Sequence, residues 1–315
     1  MPMLRERVVG AVLGFVVGNA FGLPYEFMSR EEVAGRLSSE MTGGGVHGQP
    51  PGTWGEDSSI MLAVLDAVAE HGLSLEAIAK NLVSWFREGV YTARGEVFDI
   101  STGVHMALRS LEEGVPPQSS GAEGVAENTA LAPALPVAIY MHRDPPEDLV
   151  NAISRVVSVI QRDPRCIASA AIYALVLRNV VLGRERRESV ELGVREAQTV
   201  LAPMGEGLRE ALEALSGVLV LGEGGLDEVT SHVVTTLERV LRVFAASPSF
   251  REAVMRAVEM GGDTDTAAAL VGGLWGAYGG VGSIPLGWLE RLARRSWVEE
   301  LTEKLWVAVR RRYGL

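Results

Sequence analysis

An all-α fold is what the sequence predicts, a single helical domain over residues 1–315 built from a dozen or so helices. Three observations carry the prediction. Apolar residues recur at helical spacing along almost the whole chain, strict strand-like alternation is hard to find, and capping residues and glycines fall where such helices would begin and end. At 315 residues, with 47% apolar and 22% charged side chains, the chain is long enough to bury a sizeable core and is not dominated by disorder.

Taken in order, the segment from Val8 to Phe21, VVGAVLGFVVGNAF, reads as a buried first helix. It resembles a signal-peptide core behind Arg5, Glu6 and Arg7, but Glu6 and Asn19 weaken that reading. A second helix is expected to start at Asp57 or Ser58, with Ile60, Val64, Leu65 and Val68 on its inner face, and a third after Ser74, with Ile78, Leu82, Trp85 and Phe86. Another begins near Ser101. Glu112 to Glu127 reads as loop, Arg184 to Arg187 as a solvated turn, and Gly222 to Gly225 as a further turn. Ser249 and Thr264 open helices that bury Val254 and Val258, then Leu270 and Leu274. The uncharged run Thr266 to Leu289 is long enough to span a bilayer. Its glycines, Pro285 and Gly287 favour a buried helix followed by a turn, and no membrane role is expected.

Charge and composition remove several function classes. A net charge of -11 argues against binding to a nucleic-acid backbone, which draws affinity from clustered Lys and Arg. Cys166 is the only cysteine, so the chain can form neither an internal disulfide nor a thiolate zinc site, and a reducing, cytoplasmic setting is expected. The histidines at 47, 71, 105, 142 and 232 form no close metal-binding pair, and no lysine follows a glycine as a P-loop requires. Gly43, Gly45 and Gly48 satisfy G-x-G-x-x-G formally, but Gln49-Pro50-Pro51 follows where a dinucleotide fold needs a helix.

Oxygen chemistry remains. Glu56-Asp57-Ser58 and Gly261-Gly262-Asp263-Thr264-Asp265-Thr266 each place acids where a glycine-bearing loop turns into an apolar helix. Helix capping would account for one carboxylate. Asp-Thr-Asp-Thr offers two carboxylates and two hydroxyls within four residues, the all-oxygen set that Mg²⁺ or Mn²⁺ prefers. Two such clusters suggest a two-metal site.

These residues resemble the ADP-ribosylglycohydrolase family. Gly18-Asn19-Ala20-Phe21-Gly22-Leu23-Pro24-Tyr25-Glu26 is similar to its G-D-A-x-G-x-P-x-E opening, Gly52 to Ser58 to G-x-W-T-D-D-[TS], and Asp99-Ile100 to the start of D-I-G-x-T-T. Gly261 to Thr266 is an unaltered G-G-D-T-D-T. The resemblance implies a compact orthogonal all-α fold and hydrolysis of the bond at ribose C1 of an ADP-ribosylated protein or small-molecule conjugate. It also implies two Mg²⁺ ions, with Mn²⁺ as a substitute, held by Glu56, Asp57, Asp263, Asp265 and Thr266. Asp57, Glu26 and Asp99 would act in catalysis, and Asn128 and Gly103 in substrate binding.

The pattern is altered in places. Asn19 stands for the usual Asp, Gly55 for a Thr that commonly ligates a metal, and Glu56 for Asp. Glu127-Asn128-Thr129 keeps only Asn128 of the S-N-G loop, Ile160 to Pro164 lacks the Thr and His of T-H-x-D-P, and Ser101-Thr102-Gly103 departs from G-x-T-T. A binding module without turnover and a structural protein of the same fold are therefore the alternatives to the hydrolase. Glu26 after Pro24 favours function over an idle surface acid, whereas Asp99 could equally cap the helix that follows. His105 is expected on that helix without catalytic duty, and Cys166 in the core.

Overall fold

The computed structural model describes residues 2–218 and 229–315; the expected turn at Gly222 to Gly225 lies outside them. Fifteen α-helices occur among the described residues, and pairing between extended segments is limited to isolated bridges such as Val229 with Gly262. In chain order the helices are α1 Leu4–Gly22, α2 Arg30–Ala34, α3 Glu56–His71, α4 Leu75–Glu88, α5 Thr102–Glu112, α6 Ala134–Tyr140, α7 Pro146–Val157 and α8 Pro164–Val181. They continue as α9 Arg186–Leu201, α10 Glu206–Val218, α11 Val233–Ala246, α12 Phe250–Glu259, α13 Thr264–Gly279, α14 Leu286–Arg291 and α15 Arg295–Tyr313.

Two of these helices set the frame. Along α1, Gly10, Gly14, Gly18 and Gly22 recur every four residues and lie on one helical stripe. A Cβ on Gly14 would sit 2.3 Å from the Gly272 carbonyl, and one on Gly18 would sit 2.1 Å from the Ala268 carbonyl. Glycine is thus required by the backbone contact between α1 and α13. That contact carries the end of α1, with Asn19 and Gly22, to the N-terminus of α13, where Thr264 Oγ1 donates to the Gly22 carbonyl at 2.9 Å.

The apolar core is continuous from Val8 on α1 to Val309 on α15. Helix α8 is buried along most of its length, includes Cys166, and binds α13 through the Tyr173 hydroxyl, 3.0 Å from the Leu270 carbonyl. Among the described residues, two helical windows are long and apolar enough to cross a membrane, Leu4–Tyr25 and Pro164–Val181, and in both most residues are buried within the protein. The uncharged run after Thr266 is α13, a 3₁₀ turn at Val281–Ser283, and α14 opening behind Pro285.

Several boundaries differ from the sequence reading. Helix α3 begins at Glu56 with Gly55 in the capping position, so both acids lie in its first turn. Helix α9 begins at Arg186, inside the expected turn at Arg184 to Arg187, with Glu185 preceding it. Glu112 to Glu127 is loop apart from the last residue of α5 and a 3₁₀ turn at Pro117–Ser119.

Candidate active site

The N-termini of α3 and α13 point into one cleft, and two helix dipoles therefore favour negative charge there. The cleft encloses a cavity of about 230 Å³ lined by Glu26, Glu56, Asp57, Asp99, Glu127, Asp263 and Asp265, with Phe27, Asn128 and Thr266 among the other walls. Among the described residues, no lysine or arginine lines it. Residues 209 apart in sequence meet directly: Thr266 Oγ1 donates to Asp57 Oδ2 at 2.8 Å.

Capping does not account for these acids. Asp263 occupies the position before α13, but its side chain makes no capping hydrogen bond to that helix. Instead Asp263 Oδ2 accepts from Asn128 Nδ2 at 2.8 Å. The preceding Gly261 and Gly262 adopt φ of 76° and 75°, a left-handed backbone that glycine tolerates without strain. This turn clasps its neighbours: Phe27 N donates to Gly262 O at 2.8 Å, Gly262 N to Met28 O at 2.8 Å, and Asp263 N to Val229 O at 2.9 Å. Glu26 is thereby brought to Asp263 and Asp265, and one oxygen from each of these three carboxylates lies within 4.8 Å of the others.

Asn19 ties the two helix starts together. Its Oδ1 accepts from Gly55 N at 2.8 Å, and its Nδ2 donates to Asp265 Oδ2 at 3.0 Å and reaches Asp57 Oδ2 at 3.5 Å. Glu56 stands slightly apart, accepting from Ser101 N at 3.1 and 3.2 Å and from Ser101 Oγ at 3.2 Å; it pins the start of α5 to that of α3. Asp99 lines the cavity from the segment before α5 with φ of 51° and does not cap the helix, whose preceding residue is Ser101. Gly103 does not line the cavity. Its N–H donates to Glu127 Oε2 at 2.8 Å, and a Cβ there would meet Gln161 and Glu127 at 2.9 Å.

Crowding of buried acids raises their proton affinity. Burial, followed by the fields of Asp99 and Asp263, pushes Glu26 up to about 10. Burial and Asp263 push Asp57 up to about 7. Glu56 and Asp265 are held well above the usual carboxylate range, again chiefly by burial. Asp57 Oδ1 and Asp265 Oδ1 are buried without a hydrogen-bond partner. Leaving charged oxygens so is expensive unless a cation meets them. The donor set is therefore one that fits a hard divalent cation: carboxylate oxygens, a threonine hydroxyl and unpartnered lone pairs.

Two residues of the cleft had no signal in the sequence as functional groups. His47 Nε2 lies 2.6 Å from Glu26 Oε2. Glu127 shares its Oε2 between Gly103 N and Gln161 Nε2, the latter at 3.3 Å, and faces the cavity beside Asn128. Neither sits on a periodic pattern, and only Glu127, adjacent to Asn128, could have been found by position.

Comparison with known proteins places this architecture. The family model described as ADP-ribosylglycohydrolase matches residues 1–314. An ADP-ribosylarginine hydrolase, Tri1, of Serratia proteamaculans (strain 568) is 26% identical over 95% of this chain and 79% of its own length. An ADP-ribosyl-[dinitrogen reductase] glycohydrolase of Rhodospirillum rubrum is 26% identical over 92% of each chain. Among solved structures, a chain titled ADP-ribosylglycohydrolase-related protein complex superposes with a TM-score of 0.74 at 27% identity, covering 97% of this chain and 99% of that one.

Proposed function

This chain belongs to the ADP-ribosylglycohydrolase family and is an ADP-ribosyl glycohydrolase, and we propose that it is a metal-dependent one that releases ADP-ribose from arginine-linked substrates. The observation that carries the metal is the meeting of the α3 and α13 N-termini, with Thr266 on Asp57 and unpartnered oxygens on Asp57 and Asp265. Asp57, Asp263, Asp265 and Thr266 would hold two Mg²⁺ ions, or Mn²⁺, with Glu56 beside them. When bound, the ions neutralise the crowded carboxylates and supply a Lewis-acid hold on the ribose diol and on water.

The reaction exchanges one bond at ribose C1 for another. Water oxygen forms a bond to C1 as the bond from C1 to the guanidinium nitrogen breaks, one water proton passes to a carboxylate, and the departing nitrogen leaves protonated. Glu26 and Asp99, which line the same cavity and lie within 4.8 Å of each other between carboxylate oxygens, are the groups placed to move those protons. Wall carboxylates outside the ion-holding set, such as Asp99, would stabilise the oxocarbenium-like charge that develops at C1.

The size and the walls of the cavity bear on the substrate in different ways. About 230 Å³ is below the usual range of roughly 300–1,000 Å³ for drug-sized ligands, so it takes the ribose and its C1 substituent while the remainder of ADP-ribose lies outside. Asp99 and Glu127, acids on its walls outside the ion-holding set, suit a cationic, donor-rich substituent. The test is release of ADP-ribose from ADP-ribosylarginine and from ADP-ribosylserine peptides in Mg²⁺, with Asp57→Asn as control. Faster cleavage of the serine linkage would overturn the arginine assignment, and no cleavage of any ADP-ribosyl linkage would overturn the hydrolase.

A further inference from the structure

The loop Gly43 to Gly48 lies outside every helix, yet it turns one ring inward. Val46 is 64% exposed, whereas the side chain of His47, the next residue, is only 15% exposed. Its Nε2 is 2.6 Å from Glu26 Oε2 and 3.8 Å from Asp99 Oδ2. Ring centroids of Phe98 and Phe27 lie 5.2 and 6.3 Å from the imidazole. The loop is seated on the turn that carries Glu26, since a Cβ on Gly45 would fall 2.5 Å from the Pro24 carbonyl. Of the three non-glycine residues with left-handed φ among the described residues, one belongs to this group, Asp99 at 51°, and another adjoins it, Phe27 at 63° next to Glu26. Such backbone persists only where its surroundings hold it, and it concentrates at functional sites. Three separate segments are bent to bring Glu26, His47 and Asp99 together.

We propose that His47 is a positioning residue that holds Glu26 in the reaction cleft; the inference rests on the hydrolase reading above. Glu26 has three side-chain torsions, and one of its oxygens lies within 4.8 Å of an oxygen on each of Asp263 and Asp265, so other rotamers would take it away from the cleft. The hydrogen bond to His47 selects the rotamer observed. It commits one Glu26 oxygen to the imidazole and leaves the other to the cavity. Both acceptors facing Nε2, Glu26 Oε2 and Asp99 Oδ2, place the proton on that nitrogen, which donates to Glu26. Phe98 and Phe27 fix the ring plane.

His47→Phe keeps a ring between Phe27 and Phe98 and removes the donor, whereas His47→Gln keeps an N–H of similar reach. With ADP-ribosylarginine at saturating Mg²⁺, His47→Phe is expected to lower kcat by roughly 10- to 100-fold, the scale of a mispositioned proton-transfer group, with KM changed by less than about threefold. His47→Gln is expected within about fivefold of the unaltered protein, and Glu26→Gln/His47→Phe no slower than Glu26→Gln, as for two residues acting as one unit. An unchanged kcat in His47→Phe, or His47→Gln as slow as His47→Phe, overturns the proposal. A second arm needs no turnover. A ¹⁵N–¹H spectrum of the imidazoles should show a downfield Nε2 proton for His47 that moves in Glu26→Gln; a His47 signal that does not respond contradicts the contact. Should no ADP-ribosyl substrate be cleaved by the unaltered protein, the functional reading fails and this spectrum alone decides the role of His47.

Discussion

Asn19 and Gly55 meet at the start of α3, where one supplies an amide to two acids and the other supplies no side chain at all. Asn19 donates toward Asp265 and Asp57, which a carboxylate at that position could not do, so the substitution lowers the negative charge of the cleft and partly compensates it. Gly55 leaves room: a Cβ there would sit 3.4 Å from Asp265 Oδ2 and from Leu23 Cδ1, ordinary contact distances. Gly55→Thr should therefore fold and add a hydroxyl ligand. Manganese affinity, read by electron paramagnetic resonance titration, is expected to rise by about three- to tenfold, on the order of 1 kcal/mol for one added oxygen; an unchanged or weaker affinity would place position 55 away from the ion. Asp57→Asn has the opposite signature. It removes a buried carboxylate crowded by Asp263, so metal-free protein should melt at the same or a higher temperature while kcat falls at least about 100-fold. A large loss of stability without metal would show instead that Asp57 is a structural acid.

At the scale of elements, the α1–α13 contact is the hinge of the account, because it delivers Asn19 to Asp265. Gly14→Ala forces a methyl to within 2.3 Å of the Gly272 carbonyl, and overpacking of this kind costs about 1–3 kcal/mol or more. Gly282→Ala, with nothing within 4 Å of its Cβ, should stay within about 0.5 kcal/mol of the unaltered protein. Urea unfolding of the two variants tests the contact, and equal stabilities would contradict it. Helix positions were legible in the sequence because their signals are local: Ser74 and Ser249 accept from the third residue of α4 and α12, and apolar spacing marks the buried face. The start of α3 was misplaced by one or two residues because Gly55 caps it without a side-chain acceptor. Asp57, Asp263, Asp265 and Thr266 were legible as clustered oxygen donors. His47 and Glu127 were not, since their partners, Glu26 for one and Gly103 with Gln161 for the other, lie on segments that only the fold brings near.

For the whole molecule, the cleft concentrates part of a net charge of -11 in one small volume, and folding must work against it. A carboxyl whose folded pKa exceeds its unfolded value leaves the native state holding more protons than the unfolded state between the two values, so stability falls as pH rises through that interval. For Asp57 the interval runs from 3.8 to about 7, and for Glu26 from 4.5 to about 10. In a chelator the melting temperature should fall between pH 5 and pH 8. Saturating Mg²⁺ should raise it by on the order of 5 °C, and more at pH 8 than at pH 5, because the ion binds the ionised native site. A chelator profile that rises over this range would mean that the acids are not crowded. The most direct measurement of the central claim is release of ADP-ribose from an ADP-ribosylarginine peptide by the unaltered protein and by Asp263→Ala, each with Mg²⁺ and with chelator. Release by the unaltered protein in Mg²⁺ alone, and by Asp263→Ala in neither condition, is the result predicted; release that persists in chelator or in Asp263→Ala would contradict a metal-dependent site built on the α13 motif.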